Sequence, residues 1–169
     1  CLELEKDIDL CVKAAHQAEV EFKTGLGDVV AIAESIRQTA FPAIVVRNTP
    51  GFNGKVDCFQ IKENFLVCIS GLGRDTSEII SDKKWVEIIN SAALGIHLNN
   101  VNLKSAIKVG RLFTEKSGLI NTNISEIIDS MPLGTICSVA HLGTSIVAIS
   151  EDITSLTYSL EKYGEVRKY

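Results

Sequence analysis

The sequence predicts an α+β fold in which a mainly antiparallel sheet packs against helices, formed as a single domain over residues 1–169. Three observations predict it. Apolar residues recur with a helical period in several segments, and short strand-like runs are joined by brief polar links. An apolar fraction of 46% is enough for a buried core in a chain of 169 residues.

Two predicted helices open the chain. Apolar spacings of four and three predict the first over residues 3–23, and the glycines of segment 24–27 are expected to end it, because glycine readily adopts the left-handed conformation. Asp28 precedes the second helix, which Pro42 closes because proline lacks a backbone N–H. The first apolar stripe comprises Leu4, Ile8, Cys11, Ala15, Ala18 and Phe22, and the second comprises Val29, Ile32, Ala33 and Ile36.

Three strand-like runs follow, at residues 43–47, 56–61 and 65–70. The polar segment 62–64 is expected to join the second and third runs as a hairpin, which would place Cys58 opposite Cys68. The chain has five cysteines and no CxxC pair, so we expect these thiols to be free and buried.

Helices dominate the next part of the chain. Apolar periodicity predicts helices around 85–96 and 103–113, with Gly118 ending the second, and a short helix for which Asn123 and Glu126 form a capping box. Two strands at 135–140 and 145–149 then surround a small turn. A last helix over about 152–163 is followed by Gly164 and a short polar tail at 167–169.

The bulk properties exclude several classes of protein. A net charge of −4 argues against binding to nucleic acid or to an anionic membrane. The odd number of cysteines favours the reducing cytoplasm, and no metal ligand is assigned because no His/Cys cluster has zinc-site spacing. No signal peptide or membrane span is predicted. Because a helical pattern begins at once after Cys1, we expect a fragment of a longer protein.

The segment around Asp28 has the residues best suited to chemistry. Gly25 and Gly27 allow the backbone to approach a ligand closely, and a helix start offers free amides to an anion. The Asp28 carboxylate could orient or deprotonate a hydroxyl group that attacks a phosphoryl group. The residues alone fit a simpler arrangement at least as well, in which glycine ends one helix and aspartate caps the next.

Two further positions suit substrate binding, and each has a structural alternative. His16 and Glu19 share a helix face because they are three residues apart, so they could bind a polar substrate or simply pair with each other. Arg47 ends a predicted strand, where its guanidinium could hold a carboxylate or phosphate, or pair with Asp57 on the neighbouring strand.

The turn between the last two strands is made of small residues. Gly143 indicates a close approach of the backbone, which a tight hairpin alone would explain. His141 has no partner visible in the sequence and is more often a satisfied histidine than a ligand. No complete phosphate-binding loop, hydrolase elbow or zinc-protease motif is present.

Taken in order, these segments resemble the archaeal pantoate kinases of the GHMP small-molecule kinase superfamily. The run HQAEV at 16–20 and the run TGLGDVVA at 24–31 resemble the central motif of that family. Arg47 with TPG at 49–51, GKVD at 54–57, EIISD at 78–82 and the segment 138–148 resemble its later parts. The likeness covers nearly the whole chain and falls on the C-terminal half of such a kinase.

The resemblance implies a role in coenzyme A biosynthesis, in which pantoate is phosphorylated with ATP and magnesium. Asp28 falls on the catalytic position. The family's glycine-rich ATP loop lies in an N-terminal half that this chain lacks, so we expect it to be inactive alone and either to need that half or to form a homo-oligomer. The implied substrate-binding residues are His16, Glu19, Thr24, Gly25, Gly27 and Arg47, and Ser138, Gly143 and Thr144 would support the nucleotide loop.

The chain departs from the family pattern in two places. The family usually has a glycine pair shortly after the aspartate, whereas here FPA at 41–43 precedes the strand and the stretch 33–39 looks like extra length. The Thr-Lys pair expected near Thr76 and Ser77 is not intact. Two alternatives therefore stay open: a GHMP kinase for another small alcohol, and a degenerate module that binds a metabolite or a partner without catalysis.

Overall fold

A computed structural model describes residues 8–25, 28–38, 42–49, 55–71, 73, 75–140, 142 and 145–169. The chain forms two compact units, the first of Cys1–Lys62 with Thr76–Ser81 and the second of Glu63–Asp75 with Asp82–Tyr169. The described elements confirm an α+β fold with antiparallel sheets. The expectation of one domain over 1–169 stays a prediction. The elements are α1 (Ile8–Phe22), α2 (Asp28–Arg37), β1 (Ala43–Arg47), β2 (Val56–Gln60), β3 (Leu66–Ile69), α3 (Thr76–Ser81), α4 (Lys83–Ala93), α5 (Leu103–Ser117), α6 (Thr122–Asp129), β4 (Ile136–Val139), β5 (Ser145–Ile149), α7 (Ile153–Leu160) and β6 (Glu165–Lys168).

The first unit is a helical hairpin packed on a small sheet. Helices α1 and α2 are antiparallel, because Arg37 at the end of α2 pairs with Asp9 at the start of α1. Strands β1 and β2 are antiparallel, with Val45 opposite Cys58, and α2 packs against both. Among the described residues of this unit, the buried apolar ones are Val12, Val30, Ala33 and Ile79.

The second unit contains a four-stranded antiparallel sheet in the order β4-β5-β3-β6. Strands β4 and β5 form the predicted hairpin, with Val139 opposite Ile146. Helix α5 packs on β4, and α7 supplies two side chains that are completely buried. The core comprises Leu66, Cys68, Ile124, Ile128, Cys137, Val139, Ile146, Ala148, Leu156 and Leu160.

The helices of the second unit begin and end at identifiable caps. The Asn102 side chain accepts from the Ser105 N–H, and the Ser105 hydroxyl accepts from the Asn102 N–H, which is a capping box at the start of α5. Gly118 ends α5 in the left-handed conformation at φ 66°, as the sequence predicts. The capping box predicted at Asn123 is wrong, because the cap of α6 is Asn121, whose side chain accepts from the Ile124 N–H.

The hairpin predicted across residues 62–64 is also wrong. Strand β2 pairs with β1, whereas β3 pairs with β5 and β6, so the segment connects one unit to the other. Cys58 therefore lies opposite Val45, and Cys68 lies opposite Ile146 in a different sheet. A short apolar strand carries no sequence feature that specifies which other strand it pairs with. The pairing is decided by how distant segments pack together.

The predicted polar tail is an edge strand. Residues 165–168 form β6 against β3, and the Tyr169 N–H donates to the Phe65 carbonyl oxygen at 2.9 Å. The two aromatic rings stack with centroids 5.3 Å apart. Gly164 permits this pairing, because a Cβ there would lie 2.7 Å from the carbonyl carbon of Ile69. Alternating charged residues concealed the strand in the sequence.

No helix in the described parts of the chain is long and apolar enough to cross a membrane.

Candidate functional site

Most of the predicted site residues that the structure describes lie on α1, in the connection that follows it or at the start of α2. Helix α1 ends with Lys23 in the left-handed conformation at φ 53°, and the Thr24 N–H donates to the Glu19 carbonyl oxygen at 3.1 Å. This is a Schellman-type ending. The prediction that a glycine takes the left-handed position is therefore wrong for Gly25, which has no positive φ.

Gly25 is required for a different reason, which is space. The Glu19 side chain folds over the backbone at position 25, where a Cβ would collide with the Glu19 carboxylate and lie 2.8 Å from its Cδ. Real Cβ atoms do not approach other heavy atoms so closely. Glycine at 25 thus allows Glu19 to keep its present position.

His16 and Glu19 form the predicted pair. The His16 Nδ1 lies 3.3 Å from the Glu19 Oε2, and the two side chains are only 14% and 13% exposed. They lie on the side of α1 that also carries the buried Val12. The apolar pattern of the sequence predicts that this face lies next to the buried side of α1. In the structure it is itself the buried side of the helix.

Asp28 is the first residue of α2 and is exposed. Because α1 and α2 are antiparallel, the end of α1 and the start of α2 lie at the same end of the hairpin. Glu19 and Asp28 are therefore both close to the connecting segment. A carboxylate in the first turn of a helix is also stabilised by the positive end of the helix dipole. Thr24 lies in the connection and is exposed.

Helix α3 contributes a contact that the sequence did not predict. The Lys23 ammonium donates to the Ser81 hydroxyl at 3.1 Å, which links the end of α1 to a segment 58 residues later. Left-handed lysine is uncommon, because its Cβ crowds the following carbonyl group. The contact could not be predicted, since nothing in the sequence couples positions so far apart.

Arg47 lies at the end of β1, half-buried and opposite Val56 in the register. Its predicted alternative partner, Asp57, accepts a hydrogen bond from the Asn48 side-chain amide at 2.6 Å. This end of the two-stranded sheet therefore carries a guanidinium and an amide on the consecutive residues Arg47 and Asn48, and the carboxylate of Asp57 on the neighbouring strand.

The predicted nucleotide-loop residues belong to the second unit. Ser138 is buried in β4, and its Oγ lies 3.3 Å from the position that a Cβ at Gly110 of α5 would occupy. The Ser138 hydroxyl thus points towards α5. Gly27, His141, Gly143 and Thr144 lie outside the described residues.

Within the described residues, no group of three or more His, Cys, Asp or Glu side chains is placed to hold a metal ion. That this chain contributes no metal ligand stays a prediction.

Curated proteins with known functions match nearly all of this sequence. A pantoate kinase from Methanocaldococcus jannaschii is 32% identical over 144 residues, which are 83% of this chain and 51% of the relative. The predicted resemblance to pantoate kinases is confirmed. Pantoate kinases from Methanospirillum hungatei and Thermococcus kodakarensis are 28% and 31% identical, over 94% and 82% of this chain. The chain spans about half the length of these pantoate kinases.

A solved structure supports the fold. It is described as a phosphotransferase related to the CoA biosynthesis pathway, and it matches 93% of this chain and 52% of its own with a TM-score of 0.59 and 24% identity. This similarity shows the fold. No protein-family model matches the chain.

Proposed function

We propose that this chain is the substrate-binding part of an ATP-dependent kinase that phosphorylates pantoate, a step in coenzyme A biosynthesis. The observation that carries the proposal is the α1–α2 connection, where Glu19 and Asp28 lie at one end of a helical hairpin. This segment is the one in which the sequence most resembles the pantoate kinases, and three relatives with that name match over most of the chain.

Asp28 is the proposed base. Phosphoryl transfer to an alcohol depends mainly on positioning and charge neutralisation, and a carboxylate that accepts the proton of the attacking hydroxyl completes it. Asp28 is exposed at a helix start, so a substrate hydroxyl can reach its oxygens. The hydroxyl oxygen forms the new bond to the γ-phosphorus of ATP while the bond from that phosphorus to the bridging oxygen of ADP breaks, so that ADP leaves and the hydroxyl proton passes to the Asp28 carboxylate.

Arg47 is the proposed partner of the substrate carboxylate. Pantoate is a hydroxy acid, and the planar guanidinium can donate two parallel hydrogen bonds to a carboxylate. Arg47 is half-buried, which strengthens such a pair relative to one in open water. His16, Glu19, Thr24, Gly25 and Gly27 complete the proposed substrate site, with Gly25 leaving space for the Glu19 carboxylate.

ATP would supply the phosphoryl group, and magnesium would neutralise its charge. The resemblance places the glycine-rich ATP loop in the half of the pantoate kinases that this chain does not span, and we assign most of the nucleotide site to that half. Gly143 and Thr144 would contact it, and Ser138 would support their loop by packing. The proposal includes a mechanism of the GHMP kinase type. It also includes a cytoplasmic location, because the odd number of cysteines favours a reducing compartment.

The test is a chimera in which this chain replaces the matching half of the M. jannaschii pantoate kinase. We expect pantoate-dependent release of ADP, and we expect Asp28→Asn to lower kcat by about 10²–10⁴-fold, as is typical when a general base is removed. Glu21→Gln is the matched control, because Glu21 is an exposed carboxylate on α1, and its kcat should not change.

Two results would count against the proposal. A folded chimera that phosphorylates homoserine or mevalonate but not pantoate would show that the substrate is wrong. A folded chimera that turns over none of the three would support a module without catalysis.

A further inference from the structure

Lys23 has a backbone conformation that its residue type disfavours. It occupies the left-handed position at the end of α1, at φ 53°, where the Thr24 N–H donates to the Glu19 carbonyl oxygen. Glycine is the usual residue at such a position, because it has no Cβ to crowd the neighbouring carbonyl group. Backbone strain in folded proteins is concentrated at active sites and ligand clamps. The lysine therefore needs an explanation beyond the ending of a helix.

The contact of the Lys23 side chain with α3 does not by itself offset this strain. The ammonium donates to the Ser81 hydroxyl at 3.1 Å, and both residues are exposed. Such a hydrogen bond adds little stability, because water competes for both groups and the long side chain loses rotamer freedom. The contact does hold the ammonium in one position. It also joins the end of α1 to the run EIISD at 78–82, a segment that resembles the pantoate kinases.

Lys23 and Asp28 lie at the same end of the helical hairpin. Helix α1 ends just before Lys23 and α2 begins at Asp28, whereas the pair of Asp9 and Arg37 marks the opposite end. Helix α1 packs on α2, and helices that pack together have axes about 8–10 Å apart. A lysine side chain has a flexible four-carbon stem. A phosphoryl group that is bound by a hydroxyl at Asp28 is therefore within reach of Lys23.

The proposed reaction requires a cation at this end of the hairpin. Phosphoryl transfer spreads negative charge over the oxygens of the transferred group, and the Asp28 carboxylate beside it is negative as well. Ion pairs between described residues include neither Lys23 nor Asp28. Neither charge is therefore already neutralised by an ion pair with a described neighbour.

We propose that Lys23 binds the transferred phosphoryl group and that Ser81 is a positioning residue for its ammonium. The ammonium donates hydrogen bonds to the phosphoryl oxygens and offsets their charge. Lys23 forms no covalent bond and stays protonated, while phosphorus passes from the ADP oxygen to the substrate hydroxyl oxygen and the hydroxyl proton passes to Asp28. The inference rests on the proposed function, because that reaction defines the phosphoryl group.

Titration of the chain itself with inorganic phosphate tests this contact without any turnover. We expect phosphate to shift the amide NMR signals of Thr24 and Gly25, and we expect Lys23→Gln to weaken the apparent affinity by about tenfold or more. Ser81→Ala should weaken it by less, because the charge remains. Lys13→Gln is the matched control, since Lys13 is an exposed lysine about three turns earlier on α1, and the affinity should not change.

Two results of this titration would overturn the inference. Phosphate could leave the amide signals of Thr24 and Gly25 unshifted. It could also shift them with the same affinity in Lys23→Gln as in the unmodified chain, which would show that the ammonium does not bind the anion.

The chimera with the M. jannaschii pantoate kinase gives the catalytic readout. Lys23→Gln should lower kcat by about 10²-fold and change the KM for pantoate little, because the charge is needed most in the transition state. Lys23→Arg should restore most of kcat, since it keeps the positive charge. Lys23→Gly removes the backbone strain together with the ammonium, so it should be at least as stable as the unmodified protein and yet as slow as Lys23→Gln. A structural role alone would leave kcat unchanged in this variant.

The two readouts separate this inference from the proposed function. Pantoate turnover with an unchanged kcat in Lys23→Gln would overturn the inference and leave the proposed function intact. A folded chimera that phosphorylates none of the tested alcohols, together with phosphate binding that depends on Lys23, would support the phosphate contact and contradict only the proposed function.

Discussion

The two units of this protein differ in how completely they bury their apolar residues. The second unit has a connected core of ten buried residues, from Leu66 to Leu160, assembled from its sheet and two helices. In the part of the first unit that the structure describes, four apolar residues are buried, and Phe22, Ile32 and Ile36 are largely exposed. Most of the proposed substrate residues lie in the first unit. The comparison teaches that the unit with the proposed chemistry has the smaller apolar core among the described residues.

The largest expected effect tests this contrast directly. Leu156 is completely buried, so Leu156→Ala should lower the free energy of unfolding by about 2–5 kcal/mol. Phe22→Ala should lower it by less than about 0.5 kcal/mol, since most of that side chain is already in water. Urea unfolding measures both, with fluorescence of the single tryptophan, Trp85, for the second unit and circular dichroism for the first. A large cost for Phe22→Ala would show that the first unit is better packed than the structure indicates.

Alanine substitutions at Gly164 and Gly25, one glycine in each unit, should lower the stability by smaller amounts. A Cβ at Gly164 would collide with the backbone of Ile69 and Ser70, so Gly164→Ala should cost about 1–3 kcal/mol and weaken the pairing of β6. A Cβ at Gly25 meets only the end of the flexible Glu19 side chain, so Gly25→Ala should cost less than about 1 kcal/mol.

The readout that separates the two glycines is activity. Gly25→Ala should displace the Glu19 carboxylate from His16 and lower the kcat/KM of the chimera for pantoate, although the protein stays folded. Gly164→Ala should affect stability first and kcat/KM only through unfolding. Full activity in Gly25→Ala would indicate that the position of Glu19 does not matter for the reaction.

A substitution at the end of α1 should change the stability by less, and should raise it. Lys23 pays for its left-handed conformation with about 1 kcal/mol of strain, which glycine would not have. Lys23→Gly should therefore raise the stability of the first unit by up to about 1 kcal/mol, despite the loss of the exposed contact with Ser81. Hydrogen exchange of residues 8–25 measures it. Faster exchange in the variant would show that the contact with α3 is worth more than the strain.

The smallest effect concerns pH and the buried thiols of the second unit. Burial raises the pKa of Cys68 and of Cys137. Folding therefore favours the protonated thiols, and their contribution to stability is fully present below the unfolded pKa of about 8.5 and lost as the pH rises through the folded pKa. The contribution of these thiols to the free energy of unfolding should stay constant between about pH 6 and 8 and should decline above about pH 9.

The matched variant isolates the thiol from lysines and tyrosines that titrate in the same range. Cys68→Ala should be less stable than the unmodified chain at neutral pH because it loses packing, but the difference between them should narrow above about pH 9. A constant difference up to pH 10 would contradict the raised pKa of Cys68.

Local patterns predicted those features that depend on neighbouring residues. The strands at 43–47 and 145–149, the helix that Gly118 ends and the β4–β5 hairpin all follow from periodicity and cap chemistry over a few residues. The same is true of the pair of His16 and Glu19, because three residues along a helix place two side chains together. The resemblance to pantoate kinases also came from short runs of sequence.

Only the tertiary structure decided what depends on distant segments. It chose β5 and β6 as partners of β3, made a strand of residues 165–168, linked Lys23 to Ser81 and placed the Glu19 side chain over Gly25. It also showed that the apolar stripe through Phe22 stays exposed, whereas a period of four and three indicates only that a helix has an apolar side. The physical reason is that a sequence pattern encodes the shape of one element, while burial and pairing are set by whichever surfaces pack against it.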